Sequence, residues 1–202
     1  MALTQELIVQ TALKLLNEIG LDNLSTRRLG QELGVEGPAF YRHFKSKAEL
    51  FDHMVAAILL PVLRPPRPGQ QWDDWLVSIA RVSIAEVMRH RDGAKLVANS
   101  LPTEPLDLLS KPLRDAGFAD EDALYASKLF IRFMVGWQLH EANELYRTDR
   151  AKEVYDHRAA FDFALNIIID GLRQKLESSR SINPTLGAEG AVPKRRRAGK
   201  QL

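Results

Sequence analysis

Leu24-Ser25-Thr26-Arg27-Arg28-Leu29-Gly30-Gln31-Glu32-Leu33-Gly34-Val35-Glu36-Gly37-Pro38-Ala39-Phe40-Tyr41-Arg42-His43-Phe44-Lys45-Ser46-Lys47 is the stretch whose reading decides the fold. Ser25 can cap a helix, because its hydroxyl accepts an amide proton left without an intrahelical partner. That helix reaches Leu33, and Gly34 stops it. Gly34-Val35-Glu36 is a tight turn. A very short helix from Gly37 to about Phe44 follows, tipped by Tyr41, Arg42 and His43. Two short helices joined by a glycine turn, the second exposed and basic, make helix-turn-helix geometry.

The residue types suit a nucleic-acid surface. Thr26 and Arg27 open the supporting helix, where amide groups and a guanidinium can hold phosphate. Tyr41, His43 and Lys47 are phosphate donors around the second helix. Gly37, Pro38, Ala39 and Arg42 are expected to face outward, where base edges are read, and Arg42 alone of these can form a bidentate contact to guanine.

Outward from this motif the periodicity is helical throughout, so the chain is expected to be all-α. A first helix runs from Thr4 to Ile19, with Leu7, Ile8, Ala12, Leu15, Leu16 and Ile19 on one stripe and Gly20 as its stop. Ser46-Lys47-Ala48-Glu49 is a capping box and starts a fourth helix to about Leu60. Pro65, Pro66, Pro68 and Gly69 mark a linker or an ordered kink. Further helices are expected over 72–91, from Asp92-Gly93 to about Ser100 with Pro102 as its end, and over 104–116 with Pro112 inside. Two long amphipathic helices, 120–146 and 156–178, close the body. The organisation expected is a helix-turn-helix domain over 1–47, a helical effector-binding and dimerisation domain over 48–179, and a disordered basic tail over 180–202.

Bulk properties narrow the class. The chain has 202 residues, 45% of them hydrophobic, and no cysteine. Disulfides, thiolate metal sites and cysteine nucleophiles are therefore excluded. The N-terminal stretch carries Glu6, Lys14 and Glu18 and does not read as a secretion signal. No apolar run approaches the ~18 to 20 residues of a membrane helix, so no membrane partner and a cytoplasmic location are expected. Residues 180–202 hold six basic residues and one acid, a net +5 against +2 for the whole chain, so the body carries −3. Contact with a polyanion must come from a local basic face. Lys194-Arg195-Arg196-Arg197 either adds phosphate contacts or is a solubilising end.

The Leu24–Lys47 run resembles the DNA-binding head of the tetracycline-repressor family. His90-Arg91-Asp92-Gly93-Ala94-Lys95, Pro102-Thr103-Glu104, Gly117-Phe118 and Asp122-Ala123-Leu124-Tyr125-Ala126 resemble the core of the tetracycline repressors themselves. The resemblance implies a homodimer built on the last two helices, a double-stranded operator as partner, and a ligand pocket in the body. It also implies where that pocket departs from the family. The metal-binding histidine of the sixth helix falls at Val97 and a nearby arginine at Leu101. The drug-contacting histidine falls at Leu63, an asparagine at Ile79 and a glutamine at Leu113. The partner-supplied carboxylate becomes His140, while Ser100 keeps a hydroxyl. Magnesium needs near-octahedral oxygen ligands, which Val97 and His140 do not supply. The expected effector is therefore small, hydrophobic or aromatic, with no metal and no cofactor.

Phe133 and Trp137 either join that pocket or fill the core and dimer seam. His140, one turn before Glu144, is a ligand contact, half a metal site or a packing residue. An enzyme would need a nucleophile with its base, paired carboxylates or a metal cluster. No P-loop, GxGxxG, GxSxG or HExxH motif is present. A structural helical dimer is the other alternative, opposed by the Tyr41-Arg42-His43 cluster.

Overall fold

The computed structural model describes residues 3–101, 104–146 and 156–182. Among them it holds nine helices and no strand: α1 Gln5–Ile19, α2 Thr26–Leu33, α3 Gly37–Phe40, α4 Lys47–Leu59, α5 Trp72–Met88, α6 Gly93–Ala98, α7 Glu104–Asp115, α8 Asp120–Tyr146 and α9 His157–Ile182. Three starts are fixed by local chemistry. The hydroxyls of Thr4, Ser25 and Ser46 each accept the amide proton three residues on, at 3.1 Å. The return arm of the α4 box comes from Glu49, which accepts from the Lys45 amide, one residue before the cap.

Two apolar cores organise these helices. The head core joins Ile8, Ala12, Leu15 and Leu16 of α1, Leu29 of α2, Phe40, Phe44, and Leu50, Met54, Val55 and Ile58 of α4. It extends well past residue 47, because one side of α4 completes it. Val87 and Leu96, both fully buried, enter it from α5 and α6. The body core joins Leu63, Trp75, Leu76, Ile79, Leu109, Leu113, Phe130, Met134, Phe161, Leu165 and Ile169. Burying one such side chain contributes about 1.5–3 kcal/mol.

The proline-rich segment is an ordered kink. Trp75 Nε1 donates to the Arg64 carbonyl at 2.8 Å, and Gln70 Oε1 accepts from the Arg67 amide at 3.0 Å. Asp73 ties the start of α5 to α9 through Arg173 at 2.6 Å. Partial burial pushes the Asp73 carboxyl up, but the hydrogen bond from Arg173, the backbone amides of Asp74 and Asp73 and the arginine's charge together outweigh it and hold the group below its usual value.

Three boundaries differ from expectation. The third helix ends at Phe40, so Tyr41, Arg42 and His43 lie in the turn after it. Phe40 and Phe44 both turn into the core and stack at 5.5 Å, which bends the chain out of the helix. The fifth helix ends at Met88, and Asp92, left-handed with φ 54°, leads the chain into α6. The last helix continues to Ile182. Ser178, Ser179 and Ser181 fold their hydroxyls back onto carbonyls four residues earlier, at 2.8–3.0 Å, and so sit within the helix. Arg180 also donates to the Ala116 carbonyl at 2.8 Å. Residues 180–182 are thus helix, which corrects the start of the expected disordered tail. Residues 183–202, like Pro102 and Thr103, lie outside the described residues.

Gly34 has φ +67°, and an added Cβ would meet nothing within 4 Å. Its Ala variant therefore bears backbone strain alone, about 1 kcal/mol. The expected Tm drop is about 2–4 °C for a chain of this size, with Asn costing less. An unchanged melting curve for Gly34→Ala would show that the turn relaxes.

Candidate nucleic-acid interface and effector core

The interface begins with the approach of α2 to the turn. Val35 N donates to the Gly30 carbonyl at 2.9 Å, and a Cβ on Gly30 would lie 2.9 Å from the Val35 oxygen. Glycine there lets the chain double back and present the next residues. Tyr41 is 60% exposed, its ring edge-on to Phe40 at 5.2 Å. Arg42 is exposed and His43 half-buried. Gln5 Nε2 holds the His43 carbonyl at 2.8 Å, so α1 positions this turn. Lys47 opens α4, exposed, with its ammonium 5.2 Å above the Phe51 ring.

Thr26 is half-buried at the N-terminus of α2, and Arg27 is exposed beside it. Ala39 corrects the expectation: it is 8% exposed and packs inward, because a four-residue helix carrying Phe40 turns that side to the core. The side chains of Gly37 and Pro38 lie outside the described residues.

Charge separates two groups of cations. Lys14 and Arg28 are engaged by Glu32, at 2.9 and 4.0 Å. The hydrogen bond from Lys14 lowers the Glu32 carboxyl below its usual value. Arg27, Arg42, Lys45 and Lys47 form no ion pair with any described residue. Lys45 was not among the expected contacts, although its place between Arg42 and Lys47 was the available signal.

A second group of contacts fastens the head to the body. Leu21 N donates to Asp92 Oδ2 at 2.8 Å, and Arg91 Nη1 donates to the Glu18 carbonyl at 2.8 Å. Lys95 reaches Asp22 at 2.7 Å, and the Leu101 amide donates to Asp52 of α4 at 2.7 Å. Helix α6 thus lies between the two units: Leu96 sits in the head core while the helix packs against α8.

Of the nine expected effector residues, five are brought together. Leu63, Ile79 and Leu113 are buried in the body core, and Phe133 and Trp137 pack against it. Phe133, Trp137 and Phe161 form a ring cluster with centroids 5.4–5.7 Å apart. The other four lie elsewhere. Val97 packs on the head core. Ser100 is buried, with its hydroxyl bonded to the Val97 carbonyl at 2.9 Å. Leu101 is 88% exposed. His140 is also exposed and lies 3.3 Å from Glu144, which His157 approaches from its other side at 3.6 Å. Among the described residues no group of three or more His, Cys, Asp or Glu is arranged to hold a metal. A cleft of about 480 Å³ opens between Pro65, Trp72, Lys111 and Arg180, and none of the nine lines it. Gln138 of α8, not among the expected residues, is 3% exposed.

A helix-turn-helix head with exposed unpaired cations, bolted to an all-helical body with its own core, defines a DNA-binding transcriptional regulator with a ligand-binding domain. Residues 8–54 match the model of bacterial regulatory proteins of the tetR family, and residues 65–155 match the tetracyclin repressor-like C-terminal domain. The chain belongs to the tetR family. It is 34% identical to the class C tetracycline repressor protein of Escherichia coli, over 85% of this chain and 91% of that one. Its fold is similar to that of BioQ solved with its double-stranded DNA operator, with TM-score 0.71 and 29% identity over 85% of this chain and 98% of that one. It is also similar to the Streptomyces coelicolor protein ActR in complex with (S)-DNPA, with TM-score 0.75 and 28% identity over 87% and 100% of the two chains. No helix among the described residues is long and apolar enough to cross a membrane.

Proposed function

We propose that this chain is a ligand-responsive repressor that binds a palindromic operator as a homodimer. Residues 1–47 read DNA, and residues 48–179 bind the effector and dimerise. A small, largely apolar effector, not magnesium-tetracycline, releases it. The observation that carries this reading is the pairing of an exposed, uncompensated Tyr41-Arg42 turn with a body whose α6 packs on α8 and inserts Leu96 into the head core.

Large apolar side chains support the dimer. Tyr125 and Leu129 on α8, and Phe163 and Ile167 on α9, are 49–69% exposed, each pair four residues apart. They form a second face on helices whose other face already fills the core. Two copies joined there place two heads in successive major grooves, roughly 34 Å apart. Residues Leu63, Ile79, Leu113, Phe133 and Trp137 supply an apolar wall for the effector. An effector that spreads this wall shifts α6, and with it Leu96 and the Asp92–Leu21 bond. The population moves away from the DNA-bound spacing, and operator and effector weaken each other's binding by the same factor.

Selection of sites from a random duplex pool tests the first half. The expected result is a palindrome with fixed half-site spacing, and recovery of nothing above background sinks the reading. For the second half, magnesium with tetracycline leaves the selected operator bound in a mobility-shift assay. A chelator likewise leaves release by any apolar effector unchanged, because Val97 and His140 offer no oxygen set for the ion. Release by magnesium-tetracycline overturns the effector assignment.

A further inference from the structure

Five polar residues are buried among those described: Ser83, Ser100, Ser110, Ser127 and Gln138. Three have internal partners. The hydroxyls of Ser100, Ser110 and Ser127 bond to the carbonyls of Val97, Asp107 and Ala123 at 2.9, 3.5 and 2.8 Å. Gln138 and Ser83 make no hydrogen bond through their side chains to any other residue, among those described. Every fully sealed side-chain nitrogen or oxygen among the described residues has a partner. The polar atoms of these two are therefore not sealed, and each borders space that a water molecule can reach.

The position of Gln138 gives that space a meaning. Ala126, Phe130, Met134 and Gln138 repeat every four residues along α8, and all four are buried. Phe130 and Met134 belong to the body core, so Gln138 is the next step of an inward row that elsewhere is apolar. Trp137 beside it packs with Phe133 and Phe161. Ser83 occupies the core-facing row of α5, one turn beyond Ile79, and α5 packs against α8. A carboxamide has two donors and one acceptor, and holding it at 3% exposure with no protein partner costs the fold much of its hydration. A leucine or methionine would continue the row without that cost.

We propose that Gln138 is the polar anchor of the effector site, with Ser83 as a second hydrogen-bonding group. The effector is then an aromatic or apolar molecule carrying a carbonyl or hydroxyl oxygen. This rests on the effector reading above and adds the chemical function that orients the ligand.

Thermal melting of the full chain without ligand gives the first test. Gln138→Met keeps the volume and removes the unpartnered amide, so Tm rises by about 3 °C or more at equal protein concentration. A Tm that stays or falls shows that the amide already has a structural partner, and overturns the proposal. The second test uses 1-naphthol and 1-methylnaphthalene, which differ by a hydroxyl against a methyl, followed by tryptophan fluorescence. The wild type prefers 1-naphthol by about tenfold, and Gln138→Met erases that preference. Equal weakening of both probes overturns the anchor in favour of shape alone. If neither probe binds the wild type while Gln138→Met melts higher, the unpartnered amide stands and the aromatic effector class falls.

Discussion

Replacing Arg42 with alanine weakens binding to the selected operator by at least about thirtyfold and leaves the fold intact. A bidentate arginine–guanine contact discriminates by about 1–3 kcal/mol. A dimer loses it in both half-sites, and each 1.4 kcal/mol is a factor of ten. Arg42 is exposed and forms no ion pair with a described residue, so its removal costs the free protein little, within about 0.5 kcal/mol. Tyr41→Ala behaves differently. Its hydroxyl meets phosphate in this reading, so affinity falls by a similar factor for all sequences. Fluorescence-anisotropy titration on the selected site and on a scrambled duplex separates the two. Unchanged affinity in Arg42→Ala would move base reading to another element.

The largest expected loss of stability is at Gly93. A Cβ there would lie 2.1 Å from the Val87 carbonyl oxygen and 3.1 Å from its carbon, both backbone atoms that cannot swing aside. Gly93→Ala must separate the end of α5 from the start of α6. The cost is upward of about 3 kcal/mol, a Tm drop of about 6–12 °C for a chain of this size. The same movement draws Leu96 out of the head core. Operator affinity therefore falls too, although Gly93 is remote from the DNA-facing turn. Differential scanning calorimetry with operator titration checks both effects. A Tm within about 2 °C of wild type would show that the turn adapts, and would remove α6 as the rigid link.

The features legible in sequence are those set by near neighbours. Ser25 and Ser46 cap where their spacing says, Glu49 reaches one residue further to the Lys45 amide, and Gly34 is left-handed where a three-residue turn requires it. The long rows of α8 and α9 repeat often enough for their buried faces to be read directly. Ala39 was misplaced because a four-residue helix has no face to average over, and Phe40 and Phe44 decided its direction. The end of α9 escaped because a contact 64 residues away, Arg180 to Ala116, holds a serine-rich stretch in helix.

The effector residues divide for a related reason. Ile79 and Leu113 sit on helices long enough to fix a side, and Leu63 lies just past α4, its amide still bonded to the Leu59 carbonyl at 2.9 Å. Val97 and Leu101 belong to a six-residue helix and its exit, where the packing of Leu96 into the other unit sets the rotation. Gln138 could have been found by following Phe130 and Met134 one more turn, but a lone amide among apolar residues does not stand out until its burial is known.

Val87 and Leu96 give the head a boundary that chain order does not show. Its core is finished by two side chains from the body, and its first loop is gripped by Arg91, Asp92 and Lys95. The reading head is therefore not a self-contained cassette. Excision at the linker would leave it with a hole where Val87 and Leu96 had been. A chimaera grafting another relative's head onto this body would inherit a mismatched socket unless residues 87–96 travelled with it. The unit of exchange is thus discontinuous in sequence, and on the reading proposed above a new specificity needs only a substitution at Arg42 rather than a swap of the whole head.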